Sequence, residues 1–342
     1  DAVFSDVLKA TAKTISSATA ENEFAARITE NGFALVFNSP NEADAKTRLE
    51  EIMKKLRQYI ASEKDGNKLV FHAALYNLTT ADKDSEILLF NLRKNCNKIF
   101  GNDTRIIVCD VHSMNRVAEE KKMTEGIIKA FDRKEFKLYL QFTVDAKTKN
   151  IVSAEALSRW DSIDKGLISP DKYIKIMEED CLISKHDYYI FDLVCRQLEK
   201  WNGTKFSDLV ISCNFTRITI SEDDFISNIK SISDKYKFNK QNLCIEITED
   251  AIEKNSEKAL KNIEECKKLG FHIALDDLGS GYTSLINLCH YPVDIVKIDN
   301  SILNSADDER GRLLFEGLVD ISHKLQLKVI CEGVETPAQN EF

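Results

Sequence analysis

The chain has 342 residues, of which 43% are hydrophobic and 30% are charged, and its formal net charge at pH 7 is −9. These proportions are typical of a globular protein, and the length is sufficient for two domains, because single cores stop growing near roughly 250 to 300 residues. The acidic balance argues against a surface that coats a nucleic-acid polymer. No run of about 18 apolar residues occurs, so the sequence predicts no membrane contact within this fragment.

Cysteine usage indicates the compartment. The nine cysteines are spread singly through apolar runs without a CxxC pair, which predicts buried free thiols in a reducing cytoplasm rather than a disulfide framework or a zinc site. The six histidines show no HxxxH spacing, and we interpret them as structural. The chain starts at Asp1 without the pattern of a signal peptide. We therefore expect a cytoplasmic segment of a longer protein, including the case of the cytoplasmic part of a membrane-anchored one.

The first 113 residues alternate short helical and extended patterns. Apolar spacing predicts helices over 3–8, 43–59 and 85–99, and strands over 33–37, 69–76 and 105–109. This arrangement is typical of a small α/β domain. A charged amphipathic helix over 114–135 follows, and we expect it to join the two halves of the chain.

From residue 136 onwards, short apolar runs recur, and each ends in a polar residue. The runs are KLYLQF, IVSAEALSRW, LVISCNF, LCIEITED, FHIALDD, VDIVKID and KVICEGVE. A helix is expected after each strand, and successive right-handed βα units wind into a barrel or an open doubly wound sheet. Seven strands without a GxGxxG near the first favour the barrel. We expect a TIM-like (β/α)8 barrel over 136–342 whose last strand is missing from the chain, preceded by the smaller α/β domain.

Polar residues at the ends of these strands are expected to meet at one face of the barrel, as the carboxyl ends of parallel strands do. They are Glu155, Asn214, Glu246, Asp276, Asp277, Lys297, Asp299 and Glu332. Taken singly, each has a structural explanation. Asp276 and Asp277 could cap a helix, Glu246 could face solvent, and Glu155 could form a routine ion pair with Arg159. The convergence of several oxygen ligands from different strands favours a functional site.

Carboxylate and amide groups without histidine or cysteine describe a site for a hard cation, Mg²⁺ or Mn²⁺. Two neighbouring carboxylates can place one oxygen between two ions about 3.5 to 4 Å apart, a geometry that serves phosphodiester hydrolysis. In this interpretation Asp276 bridges two ions and Asp277 serves one. Lys297 orients or deprotonates a water molecule, and Arg159 offers a fork to a phosphate.

Four motifs carry a family resemblance: AEALSRW around residue 155, DDLGSGYTSL from residue 276, VKID at 296–299 and CEGVET at 331–336. In order and spacing they resemble the EAL family of cyclic di-GMP phosphodiesterases over residues 125–342. The resemblance implies that Lys297 helps to activate the nucleophilic water, that Glu332 lies close to a second ion, and that Glu335 supports the site. The metal ligands that it implies are Glu155, Asn214, Glu246, Asp276 and Asp277.

The resemblance also implies that Gln141, Leu157 and Arg159 contact the dinucleotide, and that Glu249 steadies the loop after the two aspartates. Two departures stand out. Phe142 occupies the position at which the family usually has a proline, and the chain ends at 342, before the expected eighth strand and its glutamine-containing motif.

The first half resembles a GGDEF domain that has lost its function. The five-letter motif corresponds to residues 29–33, TENGF, within ARITENGFALVF, which lacks the glycine pair and the acids in their places. Ala20 and Glu23 stand where the family's inhibitory RxxD motif would lie. The resemblance therefore implies a regulatory or dimerising module and no diguanylate cyclase.

Together the residues and the resemblance predict a phosphodiesterase that uses two Mg²⁺ or Mn²⁺ ions to linearise cyclic di-GMP to pGpG. The resemblance also implies a homodimer paired through the barrel. One alternative is a receptor that binds cyclic di-GMP or a protein partner without turnover. Another is a barrel that uses Mg²⁺ and Lys297 to abstract a proton next to a carboxylate. A complete ligand set favours the phosphodiesterase over the receptor, and the paired aspartates weaken the second alternative.

Overall fold

The computed structural model describes residues 2–62, 70–79, 82, 84–97, 105–248, 251, 256–279, 288–306 and 308–341. The chain divides into two compact units, Asp1–Met123 and Thr124–Phe342. Among the described helices, none combines the length and the apolar character that a membrane span requires.

The described residues of the first unit form helices and two small sheets. The helices are α1 (Ala2–Ala18), α2 (Glu42–Ser62) and α3 (Ser85–Asn97), and the strands are β1 (Phe24–Arg27), β2 (Phe33–Val36), β3 (His72–Tyr76) and β4 (Arg105–Cys109). Strands β1 and β2 pair antiparallel, and β3 and β4 pair parallel. Strand β1 was not predicted, because its sequence FAAR has no alternating pattern. The predicted element ends at 69 and 99 lie outside the described residues.

A partly buried ion pair anchors the β1–β2 hairpin of this unit. Arg48 on α2 donates to Glu23 at 2.6 Å and to the carbonyl of Ala18 at 2.7 Å. The backbone N–H of Asn38 donates to the other carboxylate oxygen of Glu23 at 2.9 Å. The hydrogen bonds from Arg48 and from the backbone lower the pKa of Glu23 to about 2. Glu23 thus joins the start of the hairpin to helix α2.

Helix α4 (Val111–Asp132) follows, and the boundary between the two units lies within it. The helix ends three residues before the predicted end at 135. Lys134 takes a left-handed backbone conformation with φ of 54°, and Phe136 begins the next strand. A left-handed residue ends an α-helix, because it turns the chain away from the helix axis.

The second unit is built on one sheet. Its strands are β5 (Phe136–Val144), β6 (Ile151–Ser162), β7 (Gly166–Ile168), β8 (Val210–Asn214), β9 (Leu243–Thr248), β10 (His272–Leu278), β11 (Ile295–Ile298) and β12 (Lys328–Cys331). The order across the sheet is β12-β11-β10-β9-β8-β6-β5, and β7 pairs with β6. From β6 to β12 along this order the neighbours are parallel. Within the described residues β5 and β12 each pair on one side only, so the sheet is a half-barrel of α/β type, consistent with a TIM-like fold.

All seven predicted strands of this unit occur, but the prediction that a helix follows each strand is wrong for the first. Strands β5 and β6 pair antiparallel as a hairpin. Residues 145–150 alone separate them, and a parallel crossover needs about a dozen residues. Strand β7, a short addition to the same hairpin, was not predicted.

The described helices of the second unit connect these strands in the chain, except the last, which follows β12. They are α5 (Ile174–Glu179), α6 (Ile183–Trp201), α7 (Arg217–Ile220), α8 (Phe225–Ser233), α9 (Ser256–Lys268), α10 (Asn300–Ser305), α11 (Glu309–Lys324) and α12 (Pro337–Glu341). Alternate strand residues such as Ile211, Ile245 and Ile273 belong to a buried cluster that also contains Phe191 of α6. Because successive residues of a strand point to opposite faces, the residues between them face the other side of the sheet.

The cysteines are free thiols, as predicted. Their predicted burial is correct for five of them, Cys109, Cys195, Cys213, Cys244 and Cys266, whereas Cys181 and Cys289 are exposed.

Candidate active site

The sheet face opposite the core carries the polar residues predicted at the strand ends. Glu155 lies on β6, Glu246 on β9 and Lys297 on β11. Glu246 is paired opposite Asn214 of β8 on one side and opposite Ala274 of β10 on the other. The register staggers the site residues: Glu155 is paired opposite Ser212, two residues before Asn214, and Asp276 is paired opposite Thr248, two residues beyond Glu246.

Lys297 is the centre of this cluster. Its Nζ lies 3.0 Å from Glu155, 3.3 Å from Glu246, 3.1 Å from Asp276 and 2.7 Å from Glu332. The Lys297 residue is only 3% exposed. Four of the predicted site carboxylates thus surround one buried ammonium group.

The charges of the cluster depend on one another. Burial alone would lower the pKa of Lys297, but the carboxylates of Glu246, Asp276 and Glu155 raise it above its ordinary value. Burial raises the pKa of Glu246, and Lys297 opposes that shift. Glu246 is 1% exposed, so the alternative that it faces solvent is wrong. Its Oε2 atom is buried without a hydrogen-bond partner among the described residues.

A bulge explains how two adjacent aspartates reach the same site. Leu275 is paired opposite Val296, and Leu278 is paired opposite Ile298. Two residues, 276 and 277, therefore oppose the single residue 297. Asp277 also takes a left-handed conformation with φ of 60°, which aspartate tolerates better than most residues. Without the bulge, successive side chains would point to opposite faces of the strand.

The acidic residues of the site fit a divalent cation. Asp276, Asp277 and Glu332 each offer one carboxylate oxygen, and these oxygens lie within 4.8 Å of one another. Asn214 donates its side-chain N–H to Glu155 at 2.9 Å, which leaves its carbonyl oxygen for a ligand. Burial raises the pKa of Asp277, and the neighbouring carboxylate of Asp276 raises it further. A hard cation would relieve this repulsion, because it favours the ionised carboxylates.

Two glycines shape the backbone around these acids. Gly333 follows Glu332 with φ of 70°, and a Cβ atom there would collide with the side chain of Asn300. Gly279 has φ of 98°, and a Cβ atom there would lie 2.7 Å from Ile302. Both positions require glycine, since a side chain would be strained in conformation and would clash.

Two of the polar residues considered in the sequence analysis, Asp299 and Glu335, lie outside the cluster around Lys297. Asp299 accepts a hydrogen bond from the backbone N–H of Ser301 at 2.9 Å and caps helix α10. Glu335 is exposed, and its backbone N–H donates to Gln339 at 2.9 Å. The structure thus does not bring the Glu335 side chain to Lys297. Glu249 and residues 280–287, the predicted loop-stabilising residue and most of the GSGYTSL segment, lie outside the described residues.

The predicted substrate contacts share the face of Glu155. Leu157 and Arg159 follow Glu155 at alternate positions of β6, and Gln141 of β5 is paired directly opposite Glu155. Arg159 donates to the carbonyl of Ser158 at 2.8 Å. Within the described part of the chain Arg159 forms no ion pair with Glu155. The alternative that Glu155 forms a routine ion pair with Arg159 is therefore wrong.

Tyr139 was not singled out from the sequence. It is paired opposite Leu157, its ring centroid lies 5.9 Å from the guanidinium of Arg159, and it is 49% exposed. An aromatic residue two positions before Gln141 in an alternating strand was the signal that could have found it. Phe142 belongs to the opposite face of β5 and is 45% exposed.

The second unit is an α/β half-barrel, consistent with a TIM-like fold, that carries a lysine and an oxygen-rich cluster at the carboxyl ends of its parallel strands. The family model described as EAL domain matches residues 125–342. The chain therefore belongs to the EAL domain family.

Two curated relatives come from Pseudomonas aeruginosa. The bifunctional diguanylate cyclase/cyclic di-GMP phosphodiesterase MucR is 29% identical over 232 residues, which cover 67% of this chain and 34% of MucR. The cyclic di-GMP phosphodiesterase NbdA is 26% identical over 342 residues, which cover 98% of this chain and 43% of NbdA. The chain thus spans less than half the length of either relative.

Solved structures show the same fold. The PaMucR phosphodiesterase in complex with c-di-GMP has a TM-score of 0.61 at 28% identity, over 64% of this chain and 90% of that chain. The S helix-GGDEF-EAL segment of Vibrio cholerae LapD, bound to c-di-GMP, has a TM-score of 0.59 at 19% identity, over 97% of this chain and 78% of that chain. The second likeness concerns the fold alone.

Proposed function

We propose that the second unit is a metal-dependent phosphodiesterase that hydrolyses cyclic di-GMP to linear pGpG. The observation that carries this proposal is the ring of four carboxylates around the buried Lys297. It stands on a fold that resembles the PaMucR phosphodiesterase in complex with c-di-GMP. A protein that only bound the dinucleotide would not need such a concentration of buried charge.

The proposed cation ligands are the carboxylate and amide residues of the site. They are Glu155, Asn214, Glu246, Asp276 and Asp277, with Glu332 close to a second ion. A divalent cation bound there supplies Lewis-acid polarisation of a phosphoryl oxygen and lowers the pKa of a bound water. The adjacent Asp276 and Asp277 favour two ions over one. Oxygen ligands alone favour Mg²⁺ or Mn²⁺.

The role of Lys297 follows from its charge. Since the surrounding carboxylates raise its pKa, Lys297 holds its proton at Nζ and donates hydrogen bonds. In this proposal it orients the attacking oxygen and neutralises charge at the phosphate. Lys297 does not act as a general base as long as no cation is bound to the surrounding carboxylates. Glu335, whose side chain is exposed, would support the backbone next to Glu332 and take no direct part in the chemistry.

The substrate-binding proposal rests on one strand face. Arg159 can offer two parallel N–H donors to a phosphate, and Gln141 can hydrogen-bond the dinucleotide next to Glu155. Leu157 lies between Glu155 and Arg159 on the same face of the strand and supplies apolar contact to a base or sugar. Glu249 is proposed to steady the loop after Asp277.

The first unit is proposed to be a degenerate GGDEF-like regulatory module over residues 1–113, joined by a linker helix over 114–135 to the barrel at 136–342. The fold likeness to the GGDEF-EAL segment of LapD over 97% of this chain supports this proposal. The residues TENGF at 29–33 oppose cyclase activity, because Asn31 and Gly32 stand in the places of the two acids of the motif. We further propose a homodimer through the barrel and a cytoplasmic location, which the free thiols support.

Product analysis tests the proposed function. The full chain is incubated with cyclic di-GMP and Mg²⁺ or Mn²⁺, and pGpG is followed by chromatography. We expect product that disappears with EDTA and in Glu155→Ala. Binding of cyclic di-GMP without product would instead identify a receptor. If the chain neither binds nor hydrolyses the dinucleotide, proton abstraction next to a carboxylate becomes the better proposal.

A further inference from the structure

Two neighbouring residues of helix α6 reach two different strand ends of the site. His186 and Asp187 are both buried, with 4% and 5% exposure. His186 contacts the end of β6, which carries Arg159. Asp187 contacts the segment that follows β8, which carries Asn214.

The His186 contact passes through Ser158. His186 Nε2 and Ser158 Oγ lie 2.8 Å apart, and Ser158 Oγ lies 2.8 Å from the hydroxyl of Tyr173. The His186 ring also packs edge to face on Phe136, with centroids 5.3 Å apart. Ser158 precedes Arg159 and points to the opposite face of the strand. These contacts therefore fix the backbone position of Ser158 and, with it, the point on strand β6 from which the Arg159 side chain extends.

The Asp187 contact consists of three hydrogen bonds to one carboxylate oxygen. The backbone N–H of Thr216 donates at 3.0 Å, its hydroxyl at 2.9 Å, and the hydroxyl of Thr219 at 2.6 Å. Thr216 is two residues beyond Asn214 and precedes helix α7. Asp187 therefore fixes the turn that aims the Asn214 side chain at Glu155.

We propose that His186 and Asp187 are positioning residues of the active site: His186 sets the position of Arg159, and Asp187 sets the position of Asn214. The inference rests on the proposed function, which assigns Arg159 to the substrate and Asn214 to a cation. Neither residue touches the Lys297 cluster, so both act through the residues that they hold.

The buried environment makes these contacts stiff. Polar groups away from water pay a large penalty when a hydrogen bond is lost, and connected networks restrict the positions of all their members. Phe136 and Tyr173 surround His186 with aromatic surface. An apolar residue at 186 would pack there, so packing alone does not require a histidine.

The test separates positioning from stability with matched variants of the full chain. Asp187→Ala removes the acceptor, and Asp187→Asn keeps an acceptor oxygen. His186→Leu removes the bond to Ser158, and His186→Gln keeps a polar group. Val194→Ala is the control, because Val194 is fully buried on the same helix within the apolar cluster. Each variant is measured for Mn²⁺ affinity by calorimetry, for KM and kcat with cyclic di-GMP, and for melting temperature.

We expect Asp187→Ala to weaken Mn²⁺ binding by about 10-fold, the lower range for residues that orient metal ligands. Asp187→Asn should restore most of that affinity. His186→Leu should raise KM several-fold with kcat and Mn²⁺ affinity nearly unchanged, since Arg159 binds the ground state and the transition state alike. His186→Gln should recover part of the KM. The control Val194→Ala should lower the melting temperature and leave the Mn²⁺ affinity and the KM for cyclic di-GMP unchanged.

The inference is overturned if Asp187→Ala and His186→Leu match the control, with a lower melting temperature but wild-type Mn²⁺ affinity and KM. If Asp187→Ala does not fold, Thr216→Val removes one of the same bonds from the opposite side and must weaken Mn²⁺ binding. A wild-type chain that binds neither Mn²⁺ nor cyclic di-GMP refutes the proposed function itself. Wild-type binding with variants equal to the control refutes only the positioning roles.

Discussion

Replacing Lys297 with methionine should destabilise the metal-free protein and make its stability depend on divalent cations. Lys297→Met keeps most of the side-chain volume but removes the ammonium that lies within 3.3 Å of four carboxylates. Removing one partner of a buried ionic group costs about 3 to 5 kcal/mol. For a unit of this size, about 2 to 4 °C of melting temperature corresponds to each kcal/mol, so we expect a loss of roughly 6 to 20 °C in EDTA.

Thermal unfolding followed by circular dichroism measures this effect. The variant should regain more stability than the wild type when Mn²⁺ is added, because the cation replaces the missing positive charge. Lys328→Met is the control, since Lys328 is exposed on the neighbouring strand β12. A Lys297→Met protein that is as stable as the wild type in EDTA would contradict this prediction, because the carboxylates would then not depend on the lysine.

Three further predictions follow from single contacts. Glu23 has a pKa of about 2, below its ordinary value of 4.5, mainly because of Arg48. Its ionised form therefore stabilises the fold above about pH 4.5, and the advantage of the wild type over Glu23→Gln in chemical unfolding should vanish as the pH falls towards 2. Gly333→Ala should lower stability by about 1 kcal/mol or more and weaken Mn²⁺ binding, because the new methyl group meets Asn300 and displaces the preceding acid. A Gly333→Ala protein whose Mn²⁺ affinity, measured by calorimetry, equals that of the wild type would contradict this prediction. Arg159→Lys should raise KM for cyclic di-GMP, as a single ammonium cannot replace a bidentate fork, and an unchanged KM would remove Arg159 from the phosphate site.

Strand-end polarity made the site predictable. Each parallel strand carries its polar residue at an inward position, so alternation and the strand order suffice to bring Glu155, Glu246 and Lys297 together. The sequence does not encode distances between strands that are remote in the chain. The central place of Lys297 among the carboxylates therefore emerged only from the structure.

Local backbone deviations escaped prediction. The bulge at Asp276 and Asp277 has no compositional marker, since adjacent aspartates also suit a helix cap. The apolar runs predict a βα unit where the β5–β6 hairpin lies, although the six residues between its strands, DAKTKN, are too few for a parallel crossover. Glu335 was placed in the site by motif resemblance, but its position beyond the left-handed Gly333 leaves its side chain exposed.

Anomalous scattering can locate Mn²⁺ in crystals of the full chain grown with Mn²⁺ and cyclic di-GMP, which tests the proposed metal-dependent site directly. We expect manganese between Asp276, Asp277 and Glu332, with the dinucleotide phosphate beside Arg159. Manganese bound elsewhere, or a bound dinucleotide with no cation at this cluster, would contradict it.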